Sequence, residues 1–223
     1  MSKTVLVVAA HTDDEALGCG GAIARHVAEG EQVHLLFMTD GVGSREVIAA
    51  EATERLTAAQ QAAKVLGVSS FTNLNFPDNR MDSVSLLDIV QKLEAVINEV
   101  QPEVIYTHHN GDLNIDHRIT HQAVMTACRP VPGSPIKEIY AFEVLSATEW
   151  NTPGFAPFIP NVFIDISGYI DIKMQSIEAY SLEMRPAPHS RSIENVKRLA
   201  EFRGSSVGIE AAEAMMAVRL VVG

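Results

Sequence analysis

The sequence predicts an α/β fold, a three-layer sandwich in which a mostly parallel sheet lies between helices. Three observations carry that prediction. Apolar runs of strand length alternate four times with longer helical patterns between Thr4 and Cys128. The first run, residues 4–10, is apolar without alternation, the pattern of a strand covered on both faces. Polar residues gather in the segments that follow the strands, not in those that precede them.

Residues 4–10 form the first strand, and residues 20–29 suit a helix with Ile23 and Val27 four apart. "QVHLLFMT" is a second strand and "TDGVGSR" a glycine-rich loop. Residues 50–66 read as a long alanine-rich helix, ended by Gly67 in the position a helix C-cap favours. "SFTNLNF" is a short third strand, and "LLDIVQKLEAVINEV" a helix that stops before Pro102. "EVIYTHH" is a fourth strand and "HRITHQAVMTAC" a fourth helix, closed by "RPVPGSP". Such a repeat implies parallel strands joined by right-handed crossovers. Further on, "KEIYAFEVL" and "NVFIDI" read as strands, residues 169–184 and 192–203 as helices, and the proline-rich 151–160 as a loop without a shift in composition. One domain over residues 1–223 is expected.

The totals bound the function. With 223 residues, 47% hydrophobic and 20% charged, the chain can bury a sizeable core and is not generally disordered. A net charge of -11 and only 17 Lys and Arg argue against a nucleic-acid surface. Cys19 and Cys128 make no CxxC pair, which suits a reducing compartment. The first apolar run meets charged residues too early, and without a small-residue cleavage site, to read as a secretory leader. No apolar run approaches the roughly 18 residues of a membrane span. A cytoplasmic protein is expected.

In an open α/β sheet ligands bind beyond the carboxyl ends of the strands. Four loops fall there: "HTDDE", "TDGVGSR", "FPDNRMDS" and "HHNGDLNIDH". The first sets His11 beside Asp13, Asp14 and Glu15, and a partly buried group of like charges is costly unless something positive compensates it. The helix dipole accounts for one or two of these acids, but not for His11 or for the cluster His108, His109, Asp112, Asn114, Asp116 and His117. A divalent metal accounts for both, since its charge holds ligating carboxylates ionised. Catalytic zinc takes three His or Asp/Glu ligands and leaves room for water. His11, one Asp of the first loop and His117 meet that count, and the other Asp is free to accept a proton. His121, four residues after His117, is a rival third ligand, and His108 and His109 stand at the strand end.

"AHTDDE" with its glycine-rich turn resembles the AHPDDE signature of the LmbE-like (PIG-L-like) deacetylases, with Thr12 where proline is usual. "NIDHR" resembles that family's second signature, a His-x-Asp-His segment, and "TDG", Arg55 to Val68 and "RPAPHSRS" extend the resemblance along the chain. The resemblance implies a Rossmann-like fold and a zinc-dependent hydrolase that removes an N-acetyl group from an N-acetylglucosamine-type sugar or conjugate. By position it makes His11, Asp14 and His117 metal ligands, Asp13 the base and Asp116 the residue that orients His117. Iron(II) suits the same set of ligands. Asn114 replaces the first histidine of the second signature, and an amide can donate a hydrogen bond but not deliver a proton. His189 is the candidate for the missing imidazole, from this chain or from a neighbour in a homo-oligomer. Asp40, Arg45, Asp78, Arg80 and Asp112 are expected on the rim, where they suit sugar hydroxyls or, for the arginines, a phosphate.

Two rivals stand beside this reading. "GCGGA" after the first strand, with Asp40 ending the second, suggests a nucleotide-binding dehydrogenase or methyltransferase. Ile23, however, stands where G-x-G-x-x-G needs its third glycine, and the acids would face a pyrophosphate. The other rival keeps the fold but binds sugar without turnover.

Overall fold

The branched apolar residues after Lys3 form β1 (Thr4–Ala9), in which Val5, Leu6, Val7 and Val8 are wholly buried. The computed structural model describes residues 2–39 and 49–222. In chain order the further elements are α1 (Asp14–Ala28), β2 (Gln32–Thr39), α2 (Ala49–Leu66), β3 (Ser70–Phe76), α3 (Leu86–Val100), β4 (Val104–His108), α4 (Ile115–Ala127), β5 (Glu138–Phe142), β6 (Val162–Asp165), α5 (Ile170–Glu178), α6 (Ile193–Ser205) and β7 (Ala212–Leu220). The strands join in one sheet in the order β3-β2-β1-β4-β5-β7-β6. Strands β1 to β5 pair in parallel, whereas β7 runs antiparallel to both β5 and β6. This is the expected α/β class, with a mostly parallel sheet.

The unalternating β1 has an apolar layer on each side. Val5, Val7 and Ala9 pack with residues of α1 and α2, and Leu6 and Val8 pack with residues of α3 and α4. Because β1 pairs with β2 on one side and β4 on the other, the chain reverses its winding there. A crevice opens at such a switch point, beyond the carboxyl ends of both strands.

Three elements depart from expectation. Helix α1 begins at Asp14, well before residue 20, and is broken at Cys19, whose φ of -146° and ψ of 23° are not helical. The helix expected over 169–184 ends at Glu178. Strand β7 was not anticipated, because "AEAMMAVRL" is rich in helix-favouring Ala, Met and Glu. The open slot between β5 and β6 overrides that preference.

Candidate active site

Each histidine and carboxylate of the crevice is delivered by a strand end or a helix start. His11 follows β1, Asp14 is the first residue of α1, and His117 lies in the first turn of α4. Asn114 caps α4 by accepting a hydrogen bond from the Asp116 amide at 2.8 Å, so the turn that starts the helix also aims His117. His11 Nδ1, Asp14 Oδ2 and His117 Nε2 form a triangle with all three sides 3.2 Å. Tetrahedral ligation at bonds of about 2.0–2.1 Å sets ligand atoms ~3.3 Å apart, so the triangle is one face of such a site. Asp14 Oδ1 is buried with no hydrogen-bond partner among the described residues. These residues therefore fit a divalent cation.

The far nitrogen of each histidine meets a carboxylate. His117 Nδ1 is 3.1 Å from Asp112 Oδ2, and His11 Nε2 is 3.2 Å from both Asp116 Oδ2 and Asp78 Oδ1. Such carboxylates fix the tautomer and direction of a ligating ring. Two expectations are corrected here. Asp112 is not on the rim but wholly buried beneath His117, fixed by the Thr148 hydroxyl at 2.7 Å. Asp116 faces His11 instead of His117, and its oxygens accept the amides of Asn79 at 2.6 Å and Met81 at 3.0 Å, tying the segment after β3 to the site.

Burial is the largest influence throughout, and for Asp14, His117 and His11 the neighbouring groups outweigh it. Burial disfavours charged Asp14, yet His117, His108 and His11 hold its carboxyl well below the usual range. Burial also opposes charge on His117, but Asp14 and Asp112 outweigh it and raise its pKa to about 9. His11 is likewise raised, by Asp116, Asp14 and Asp78 against burial. His108 behaves differently. Its Nε2 accepts the Ala10 amide at 2.8 Å, and burial with the neighbouring His117 pushes its pKa well down. It stacks on the His117 ring at 3.9 Å as a wall of the site.

Asp13 stands next to the triangle in a strained backbone conformation, with φ of 117°. Glu15 Oε2 accepts its amide at 3.1 Å, and Glu15 Oε1 accepts the Tyr180 hydroxyl at 2.6 Å. Burial raises Glu15 to about 8. Arg191 Nη1 donates to Asp13 Oδ2 at 2.7 Å while its Nε donates to Ser146 Oγ at 2.6 Å. Burial raises Asp13 to about 6 even though Arg191 pulls the other way. A largely polar cavity of about 460 Å³ opens here, lined by His11, Asp13, Arg55, Asp78, Asn79, Asn114, Glu183 and Arg191.

Asp78 and Asn114 line the cavity. Arg80 is exposed and does not line it. His189 does not line it either: its ring stands edge-on to Trp150 at 5.5 Å, and its Nδ1 accepts the Arg191 amide. His109 bonds the Ala156 carbonyl and His121 the His108 carbonyl, so neither joins the triangle. Asp40 and Arg45 lie outside the described residues. Arg191, Arg55, Asn79 and Glu183 were missed. Arg191 lies two residues from His189 in the same segment, which was read for an imidazole and not for a guanidinium. Arg55 and Glu183, paired at 2.5 Å, are far apart in sequence and give no local signal.

Comparison with known proteins adds to this geometry. Residues 6–128 match the PIG-L family model, described as GlcNAc-PI de-N-acetylase. The chain is 30% identical to the uncharacterized deacetylase YaiS of Escherichia coli (strain K12) over 184 residues, covering 80% of this chain and 90% of that protein. It is 32% identical to the 1D-myo-inositol 2-acetamido-2-deoxy-alpha-D-glucopyranoside deacetylase of Geodermatophilus obscurus, over 56% of this chain and 53% of that protein. Among solved structures it resembles GalB, the 4-carboxy-2-hydroxymuconate hydratase of Pseudomonas putida KT2440. There the TM-score is 0.77 at 28% identity, covering 99% of this chain and 98% of the other.

Proposed function

Because the chain belongs to the PIG-L family of de-N-acetylases, we propose that it is a zinc-dependent N-deacetylase acting on an N-acetylglucosamine-type sugar or conjugate, with His11, Asp14 and His117 as the ligands. Family membership decides against the dehydrogenase and methyltransferase reading. The observation that carries the proposal is the 3.2 Å triangle of two imidazole nitrogens and one carboxylate oxygen, with a second carboxylate, Asp13, beside it. These three residues would hold a divalent cation, whose chemistry there would be to acidify water towards a pKa of ~7 and to polarise an amide carbonyl. Zinc suits this set of ligands, and iron(II) is the alternative.

The chain's own residues supply the rest. Asp13 takes a proton as water attacks, and its hydrogen bond to Arg191 keeps one oxygen fixed and the other available. Asn114 Nδ2, already held by Asn79 Oδ1 at 3.1 Å, has a second hydrogen for the developing oxyanion. With no acid at position 114 and His189 packed against Trp150, Asp13 also returns the proton to the leaving amine. Asp78, Asn79, Arg55 and Glu183 offer a polar wall to sugar hydroxyls. Two buried free cysteines accord with the reducing cytoplasm as its compartment.

The test is acetate release from N-acetylglucosamine, its glycosides and its inositol and malate conjugates by zinc-loaded protein, with Asp13→Asn alongside. Activity lost by about 10²–10⁴-fold in that variant, with metal retained, supports the assignment. Likeness to a hydratase favours one second reading, addition of water across a double bond of an unsaturated tricarboxylate. No acetate from any substrate, but loss of the diene absorbance of such an acid, would establish it instead.

A further inference from the structure

Helix α1 carries a defect that the chemistry above does not use. At Cys19 the backbone leaves helical geometry, so the i to i+4 hydrogen-bond ladder breaks there. Groups freed by such a break must find other partners when buried. Here they find a buried ion pair. Lys173 Nζ, from α5, donates to the carbonyls of Ala16 at 3.0 Å and Leu17 at 2.8 Å. Glu213, from β7, accepts the amides of Gly21 at 2.9 Å and Ala22 at 2.7 Å, and also accepts from Lys173 Nζ. Leu17 and Gly21 would bond each other in an unbroken helix, so the pair is inserted between them. Lys173 and Glu213 are 2% and 5% exposed.

The segment on the N-terminal side of the break begins with Asp14. It is also tied at that same end by Glu15, which accepts the hydroxyl of Tyr180 just beyond α5. We propose that Lys173 and Glu213 are positioning residues for the cation site: inserted into the broken ladder of α1, they set the direction of its first turn and so aim Asp14 at His11 and His117. The inference rests on the metal reading given above. An ion pair is suited to this task because it faces carbonyls with a cation and amides with an anion, and apolar residues of the same volume could satisfy neither. A buried pair is costly to assemble and weak evidence of stability in itself. Its place in the core is explained by what it positions.

Cobalt(II), whose visible absorption reports ligand geometry, is the probe. Its affinity and spectrum are measured for wild type, His117→Ala, Lys173→Met, Glu213→Gln and the double variant Lys173→Met/Glu213→Gln, with the urea midpoint of each metal-free protein. The double variant leaves no unpaired buried charge, so it is the one to rely on if a single variant does not fold. The expected result is affinity reduced 10-fold or more in the pair variants, with an altered visible spectrum, and binding abolished in His117→Ala. By reciprocity, zinc binding to wild type must slow hydrogen exchange at the Gly21 and Ala22 amides. A lowered urea midpoint with wild-type cobalt affinity, spectrum and exchange would overturn the positioning role and leave the metal site intact. No cobalt bound by wild type, or undiminished binding by His117→Ala, would overturn the metal reading and this inference with it.

Discussion

Asp112 supports His117 while Asp116 and Asp78 support His11, and the first of these contacts has a measurable consequence. Asp112 receives His117 Nδ1 on one oxygen and the Asn114 amide at 2.9 Å on the other, so it fixes both the ligand and the cap of the helix that carries it. Asp112→Asn is expected to weaken zinc binding by about 10- to 100-fold while the protein stays folded, read by competition with a chromophoric chelator. Arg191 acts on the base and not on the ligands. Arg191→Gln removes one charge-assisted hydrogen bond from Asp13, about 1.5–3 kcal/mol, and is expected to lower kcat/KM by roughly 10- to 100-fold. Its zinc content should equal that of wild type; loss of zinc would show that Arg191 supports the ligands instead. At this scale the sequence was partly legible. The residues that now form the triangle were visible because they crowd two short loops, whereas Arg191 and Arg55 come from segments whose approach depends on how α2 and the chain after α5 pack.

At the scale of elements, the glycines after β1 show how one pattern admits two explanations. "GCGGA" invites comparison with a phosphate cradle, but Gly18 and Gly21 serve packing. A Cβ on Gly18 would lie 2.3 Å from the ring of Phe142, which is wholly buried, and one on Gly21 would lie 2.7 Å from Ile166. At Gly20 the nearest atoms stand at 3.4 Å and 3.5 Å, ordinary contact distances. Gly18→Ala is therefore expected to cost about 1–3 kcal/mol, read as a lowered urea midpoint, and Gly20→Ala to be close to neutral. Because Phe142 packs at 4.7 Å against His108, which stacks on His117, Gly18→Ala should also weaken metal binding. Equal midpoints for the two alanine variants would remove this account of α1 against β5. The parallel strands were legible because burial on both faces leaves a plain apolar run. Strand β7 was not, since what makes "AEAMMAVRL" a strand is the slot between two partners distant in sequence.

On the scale of the molecule, the sheet takes interior strands from residues 4–9 and from residues 212–220, so segments far apart in the sequence share one sheet. A single cooperative unfolding transition is expected on that account. The crevice draws its ligands from elements that the switch point brings together: β1 with the start of α1 on one side, β4 with the start of α4 on the other. A cation bound by His11, Asp14 and His117 would therefore cross-link the two halves of the sheet through their connecting loops, and only the folded chain offers that site. Zinc at 100 times its dissociation constant adds about 2.7 kcal/mol to the folded state. For a chain of this length that is a rise in Tm of about 5–10 °C. Calorimetry with zinc and then with excess chelator should show that difference in wild type and in Asp13→Asn, which keeps every ligand. His117→Ala should unfold at one temperature in both conditions. A chelator-sensitive Tm in His117→Ala would mean that the stabilising cation sits elsewhere, and the link between the crevice and the folding of the whole sheet would be lost.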